Sequence, residues 1–242
     1  MQLSKSTIFI TGANRGIGRA FVDELLVRGA EKIYAAARDI SAVVDDPRIT
    51  PITLDITDSE AVARTAAVVD DVDVLINNAG VTTFAPLVGG DLTDIRSEME
   101  TNYFGTLAMV RAFAPVLEAN GGGSILNVSS AAAWFGMEHS SGYAASKAAV
   151  WAMTNGLRIE LSGQNTQVTG LHMASTDTEM ITSLDIPKNT PQAVAIEALD
   201  GFEAGELEIL ADNDTRAVKA ALSADPIDVY PQAVRHNQPQ PL

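Results

Sequence analysis

A chain of 242 residues, 46% hydrophobic and 19% charged, has the size and composition of one folded α/β domain, which excludes a disordered or membrane-spanning protein. A formal charge of −15, with 16 scattered lysines and arginines, repels phosphate backbones and speaks against nucleic-acid binding. The absence of cysteine removes disulfides, thiolate nucleophiles and Cys-ligated zinc.

Taken in chain order, short apolar runs alternate with segments of helical period. Strands are predicted at Thr7–Thr11, Lys32–Ala37, Pro51–Asp55, Asp73–Asn77, Ser124–Ser129, Gln167–Met173 and Leu207–Ala211. Helices are predicted at roughly 16–29, 59–69, 96–118, 143–161 and 191–204, with Thr190 and Pro191 forming an N-cap and N1 pair. This alternation implies right-handed βαβ crossovers. The expected fold is therefore α/β: a doubly wound Rossmann sandwich with a seven-stranded parallel sheet and helices on both faces. Residues 1–212 form the dinucleotide-binding and catalytic domain in this reading. After Ala211 the pattern weakens, and from Asp225 onward prolines recur, so 213–242 is expected to be a C-terminal arm or flexible tail. The opening stretch Met1–Ile10 carries too short an apolar run for a signal peptide, and no later run approaches ~18 residues, so a cytoplasmic protein without a membrane partner is expected. The three histidines, His139, His172 and His236, are too far apart to suggest a local metal site.

The first strand runs into Thr11-Gly12-Ala13-Asn14-Arg15-Gly16-Ile17-Gly18, which opens the first helix. Glycine suits a backbone that must turn tightly and approach an anion, and a helix start offers unpaired N–H groups and a positive dipole end for a pyrophosphate. A dinucleotide is implied by this position in the first βα turn. The second strand ends Ala37-Arg38-Asp39, beside the expected adenosine ribose. A guanidinium there grips a 2′-phosphate, whereas a carboxylate would take the 2′-hydroxyl. Arg38 comes first and favours NADPH, with Arg15 as a second cation; the alternative leaves Arg38 as a solvated charge and gives the ribose to Asp39.

Tyr143 and Lys147 lie four apart on a helical segment and share a face. A phenol ordinarily titrates near ~10, and a nearby ammonium favours its ionised form. Ser130 follows the fifth strand at the carboxyl edge of the sheet, where open α/β folds place ligands, while Ser129 should point to the opposite side.

Together these motifs resemble the short-chain dehydrogenase/reductase family, in its shorter branch, over about Thr7 to Ala211. The ordered set is Thr11-Gly12-x-x-x-Gly16-x-Gly18, Asn77-Asn78-Ala79-Gly80, Asn102, Ser130 and Tyr143-x-x-x-Lys147. The resemblance implies that Tyr143 is the general acid, that Lys147 lowers its pKa and holds the nicotinamide ribose, that Ser130 orients a carbonyl and that Asn102 anchors a relay water. It assigns Asp55 and Ile56 to the adenine side and Asn78, Ala79 and Gly80 to the cofactor floor. The family's Pro-Gly-x-x-x-Thr stretch appears here as Met173-Ala174-Ser175-Thr176-Asp177-Thr178, which retains Thr178, with Thr176 beside it, as a nicotinamide-side contact.

The implied activity is reversible reduction of a ketone or aldehyde by NADPH. A rim around Phe84, Trp134, Phe135, Met137, Met180 and Leu184 suggests an apolar carbonyl compound as substrate. Family members commonly pair through two long helices, so a homodimer or homotetramer is expected, with Met109, Phe113, Val116 and Leu117 as interface or core. Rival readings are an NAD-dependent alcohol dehydrogenase, a non-catalytic NADPH sensor, and a halohydrin dehalogenase-like lyase. The retained proton-transfer set opposes the sensor, and the glycine turn and Lys147 oppose the lyase.

Overall fold

Strand and helix alternate along the chain, and the central strands bury apolar residues on both of their faces. The computed structural model describes residues 2–230. Among them, β1 (Thr7–Thr11), β2 (Lys32–Ala37), β3 (Ile49–Thr53), β4 (Val74–Asn77), β5 (Gly123–Val128), β6 (Thr166–His172) and β7 (Glu208–Leu210) form one sheet in the order β3-β2-β1-β4-β5-β6-β7. Every pairing is parallel.

Period-two alternation sends successive side chains to opposite layers. Ile8, Ile10, Val74, Ile76, Leu126 and Val128 pack with Phe21, Leu25, Leu199 and Phe202. Those partners lie on α1 (Gly16–Val27) and α6 (Pro191–Ala204). Phe9, Leu75 and Ile125 face the other way, against Val62, Met109, Phe113 and Leu157. That layer comprises α2 (Ser59–Ala66), α4 (Thr106–Ala119) and α5 (Ser141–Glu160). The stripe Met109, Phe113 and Leu117 is fully buried, so it is core and not an interface face, and Val116 packs partly buried against it.

Three local differences from the sequence expectation have physical causes. Pro51 lies inside β3, which a proline can join because β3 is an edge strand and needs no second ladder. The single helix expected over 96–118 is three pieces: α3 (Leu92–Met99), a π-helical turn over Glu100–Gly105, and α4. Asp91 accepts a hydrogen bond from the Thr93 N–H and so starts α3 early, and the wider turn carries Asn102, as π segments often carry functional residues. Where an arm or flexible tail is expected, α7 (Asn213–Ala220) forms on an Asp212 cap, and a short α8 (Pro226–Val229) forms on an Asp225 cap. The remainder of that expected tail, 231–242, lies outside the described residues. No helix among the described residues is long and apolar enough to cross a membrane, and no cluster of three potential metal ligands occurs among them.

Candidate active site

The chain order reverses between β1 and β4, and at that switch point the carboxyl ends of the two strands leave a crevice. Gly12 and Gly16 turn there with φ of +65° and +54°, values that disfavour a side chain. A Cβ on Gly18 would stand 2.0 Å from the Gly12 carbonyl oxygen, and one on Gly12 would stand 2.9 Å from Asn78 Nδ2. Thr11 Oγ1 accepts the N–H groups of both Asn78 and Ala79, and Asn78 Nδ2 donates to the carbonyls of Thr11 and Gly12. The two floor segments are thus locked together. The first turn of α1 has no side-chain cap and no acidic residue, leaving its N–H groups and dipole facing the crevice. Ile17 packs partly buried against the core and steadies that turn.

Around the expected adenosine end, Arg38 is exposed at the tip of β2, and among the described residues it has neither a hydrogen bond nor an ion pair. Asp39 is engaged locally: its carboxylate accepts the Ser41 N–H, and its carbonyl accepts Asn14 Nδ2. The Thr57 N–H, with smaller help from the Thr57 hydroxyl and the Arg38 charge, holds the Asp55 carboxyl below the usual carboxylate range against the opposing effect of burial. Arg15 pairs with Glu179 in the segment after β6, so it is not a second free cation. Ile56 is buried, with its side chain packed beneath Gly105.

The proton-transfer residues converge as the motifs suggest. Lys147 is buried and donates to the Val128 carbonyl at 3.0 Å, with its Nζ 5.7 Å from the Tyr143 ring centre. A Cβ on Gly80 would meet Asn102 Oδ1 at 3.1 Å and Lys147 Nζ at 3.4 Å, which places three separate motifs around one point. Asn102 uses its whole amide: Oδ1 accepts the Val81 N–H, and Nδ2 donates to the Val81 carbonyl and to Ser146 Oγ. Its side chain therefore clamps the floor segment to α5. Ser130 lies near enough to Tyr143 to pull its pKa down, and its Oγ accepts the Ala132 N–H at 3.1 Å, while Ser129 turns away to donate to the Lys147 carbonyl.

Burial dominates the electrostatics. It pushes the Tyr143 phenol up to about 12, with the Ser130 hydrogen bond pulling it down and the Glu98 charge pushing it further up. Burial alone brings Lys147 down to about 8. Tyr143 is thereby held protonated at neutral pH, the form a proton donor requires.

Thr178 reaches the cradle, since a Cβ on Gly16 would come 3.1 Å from its Cγ2. Thr176 does not join it: it is buried and gives its hydroxyl to the Ala174 carbonyl, bracing its own loop. On the substrate side, Phe135 and Met137 are partly exposed, and Met180 and Leu184 are exposed. Trp134 is also partly exposed, and it packs on one side. His172 stacks on its ring at 4.1 Å, Lys219 Nζ lies 4.5 Å from its centre, and Trp151 meets it edge-on. His172 in turn is hydrogen-bonded through Nδ1 to the Ser130 carbonyl, so this joint supports the serine's loop.

Sequence reasoning missed Glu98 and Asp212, took Thr11 only as the start of the glycine motif and weighed His172 only as a metal ligand. Glu98 had a local signal, lying one helical turn before Asn102; the others act through partners remote in sequence.

A doubly wound sheet with a glycine-lined turn beside a half-buried Ser130 and Tyr143 and a buried Lys147 defines a nicotinamide-dinucleotide oxidoreductase. Residues 6–189 match the short chain dehydrogenase family, and the chain belongs to it. It is 37% identical to a short chain dehydrogenase of Burkholderia cenocepacia J2315 whose structure is in complex with NADP; the match covers 97% of this chain and 99% of that one, with a TM-score of 0.92. It is 30% identical over 247 residues to the 1-deoxy-11-beta-hydroxypentalenate dehydrogenase of Streptomyces avermitilis, covering 96% of this chain and 87% of that one. It is also 31% identical to the short chain dehydrogenase mpl6 of Monascus purpureus, over 76% of this chain and 68% of that protein.

Proposed function

We propose that this chain is a cytoplasmic, homo-oligomeric NADPH-dependent carbonyl reductase that interconverts a small apolar ketone or aldehyde and its alcohol. The observation that carries the reading is the convergence of Ser130, Tyr143 and Lys147 beside a glycine cradle whose far end carries the unpaired Arg38. The cradle fits a dinucleotide, because the positions facing Asn78 and the Gly12 carbonyl leave no room for a Cβ. The NADP bound by the Burkholderia cenocepacia protein supports the same choice here.

In this reading the α1 N-terminus and the Gly12–Gly18 turn hold the pyrophosphate, Arg38 grips the 2′-phosphate, and Thr178 stands on the nicotinamide side. NADPH, when bound, supplies the hydride. Ser130 orients the carbonyl oxygen, and Tyr143 gives it a proton from its Oη. Lys147 holds the ribose and places a positive charge beside the phenolate left behind, while Asn102 keeps the Gly80–Val81 floor in register with α5.

The test is a ketone and aldehyde panel assayed with NADPH and NADH. Tyr143→Phe should lose about 10²- to 10⁴-fold in kcat while retaining NADPH affinity. A fully active Phe variant overturns the role of Tyr143, and a wild type that binds NADPH tightly but reduces nothing overturns the enzyme reading.

A further inference from the structure

Glu98, at the end of α3, is a fully buried carboxylate that the reaction outlined above does not use. Its Oε1 accepts the Thr83 N–H at 2.7 Å and the Thr83 hydroxyl at 2.9 Å, with the Thr82 hydroxyl at 3.4 Å. These contacts hold the segment that follows the Gly80 floor. That segment leads to Phe84, whose φ of +56° is costly for a bulky side chain and needs surrounding structure to maintain it. Oε2 points elsewhere. Among the described residues it has no hydrogen-bond partner, and it lies where a Cβ on Gly142 would meet it at 2.5 Å. Gly142 immediately precedes Tyr143 in the first turn of α5, so the carboxylate abuts the positive end of that helix. Thr82 also meets Ser140, the residue before α5, at 3.4 Å between hydroxyls.

A buried carboxylate with one unpartnered oxygen is costly, and a neutral or apolar residue would avoid the penalty. Resting on the reductase reading, we infer that Glu98 is a positioning residue for the proton donor: it ties the substrate-side segment 81–84 to the first turn of α5 and so sets where the Tyr143 hydroxyl stands and which charge it faces. The charged groups around that hydroxyl are Glu98 from α3 and Lys147 from α5 itself; the end of β5 contributes only the Ser130 hydroxyl, and the Gly80 floor contributes backbone and the Asn102 amide. A negative charge here keeps the proton on the phenol, and the Glu98 carboxylate does raise Tyr143. The effect widens the pH range over which the phenol can donate its proton.

The test compares Glu98→Gln, which keeps the shape and the acceptor for Thr83 but removes the charge, with Glu98→Leu, which removes both. Two readouts apply to the full chain: the pH profile of kcat/KM for the carbonyl at saturating NADPH, and an NMR titration of ζ-carbon-labelled tyrosine, with the Tyr143 resonance identified by its loss in Tyr143→Phe. Glu98→Gln should move the alkaline limb and the Tyr143 titration toward lower pH by about one unit, with KM little changed. Glu98→Leu should in addition raise KM, since segment 81–84 loses its anchor. If Glu98→Gln leaves both profiles where they are in the wild type, the inference is overturned, and a purely structural role would give that result. If the wild type reduces no carbonyl while the NMR titration still shifts, the reductase reading fails and the pairing of Glu98 with Tyr143 stands.

Discussion

Arg38 follows β2 with an exposed guanidinium that, among the described residues, makes no hydrogen bond or ion pair and acts only through its charge on Asp55, while the neighbouring Asp39 carboxylate is occupied by the Ser41 N–H. That division favours a phosphate over a hydroxyl at the ribose. Charge-assisted hydrogen bonds of ~1.5–3 kcal/mol imply that Arg38→Ala weakens NADPH binding about 10- to 100-fold. NADH binding should barely change. Fluorescence titration with both cofactors checks this, and an equal loss for both would place the arginine elsewhere. Tyr143 and Lys147 show the same economy: the motif supplies the pair, but burial decides their ionisation, up to about 12 for the phenol and down to about 8 for the amine. A protonated phenol beside a charged lysine is the starting state that carbonyl reduction requires.

The loop after β6 lacks a proline–glycine pair, having Met173-Ala174 there, and another element restrains it. Asp212 Oδ2 accepts both the Ala174 N–H and Asn189 Nδ2, while Oδ1 caps α7 through the Thr215 N–H. One carboxylate thus joins the loop bearing Thr178 to the helix that carries Lys219, and Lys219 reaches back over Trp134 beside the Ser130 loop. Removing it strands three donors. Asp212→Ala should cost about 2–4 kcal/mol in urea unfolding, from a lost cap and the hydrogen bonds left unmade. It should also raise the KM for NADPH, because Thr178 loses its support. Unchanged stability would show that α7 and the loop are held by packing alone.

At the scale of the whole molecule, the charge of −15 and a pI near 4.4 mean that acid relieves self-repulsion, which by itself favours the folded state. His172 acts in the opposite direction. Burial brings it down to about 4 from 6.5, with the Ser130 carbonyl and then Glu208 opposing that fall. Between those values the unfolded chain binds a proton that the folded chain does not, so stability falls as pH drops from 6.5 toward about 4. The full loss is on the order of 3 kcal/mol. Denaturant midpoints across that window should decline less in His172→Gln than in the wild type, and parallel slopes would show that His172 carries none of the acid sensitivity.

What could be read from the chain alone is what local chemistry encodes. Period-two apolar runs mark strands, glycines mark the turn at Gly12–Gly18, and a four-residue spacing puts Tyr143 and Lys147 on one face; each signal lies within a few residues of the group it describes. The seven strands and their parallel pairing follow from the same patterns combined with the handedness of βαβ crossovers, whereas the order β3-β2-β1-β4-β5-β6-β7 is left to the tertiary structure. Contacts between distant segments carry no such mark. The pairing of Arg15 with Glu179, the stacking of Trp134 with His172 under Lys219, the Asp212 hub and the approach of Glu98 to Gly142 join residues that only packing brings together. Ionisation belongs to the same class, because the pKa of Tyr143 depends on burial and on Ser130 and Glu98, partners supplied by other elements of the fold.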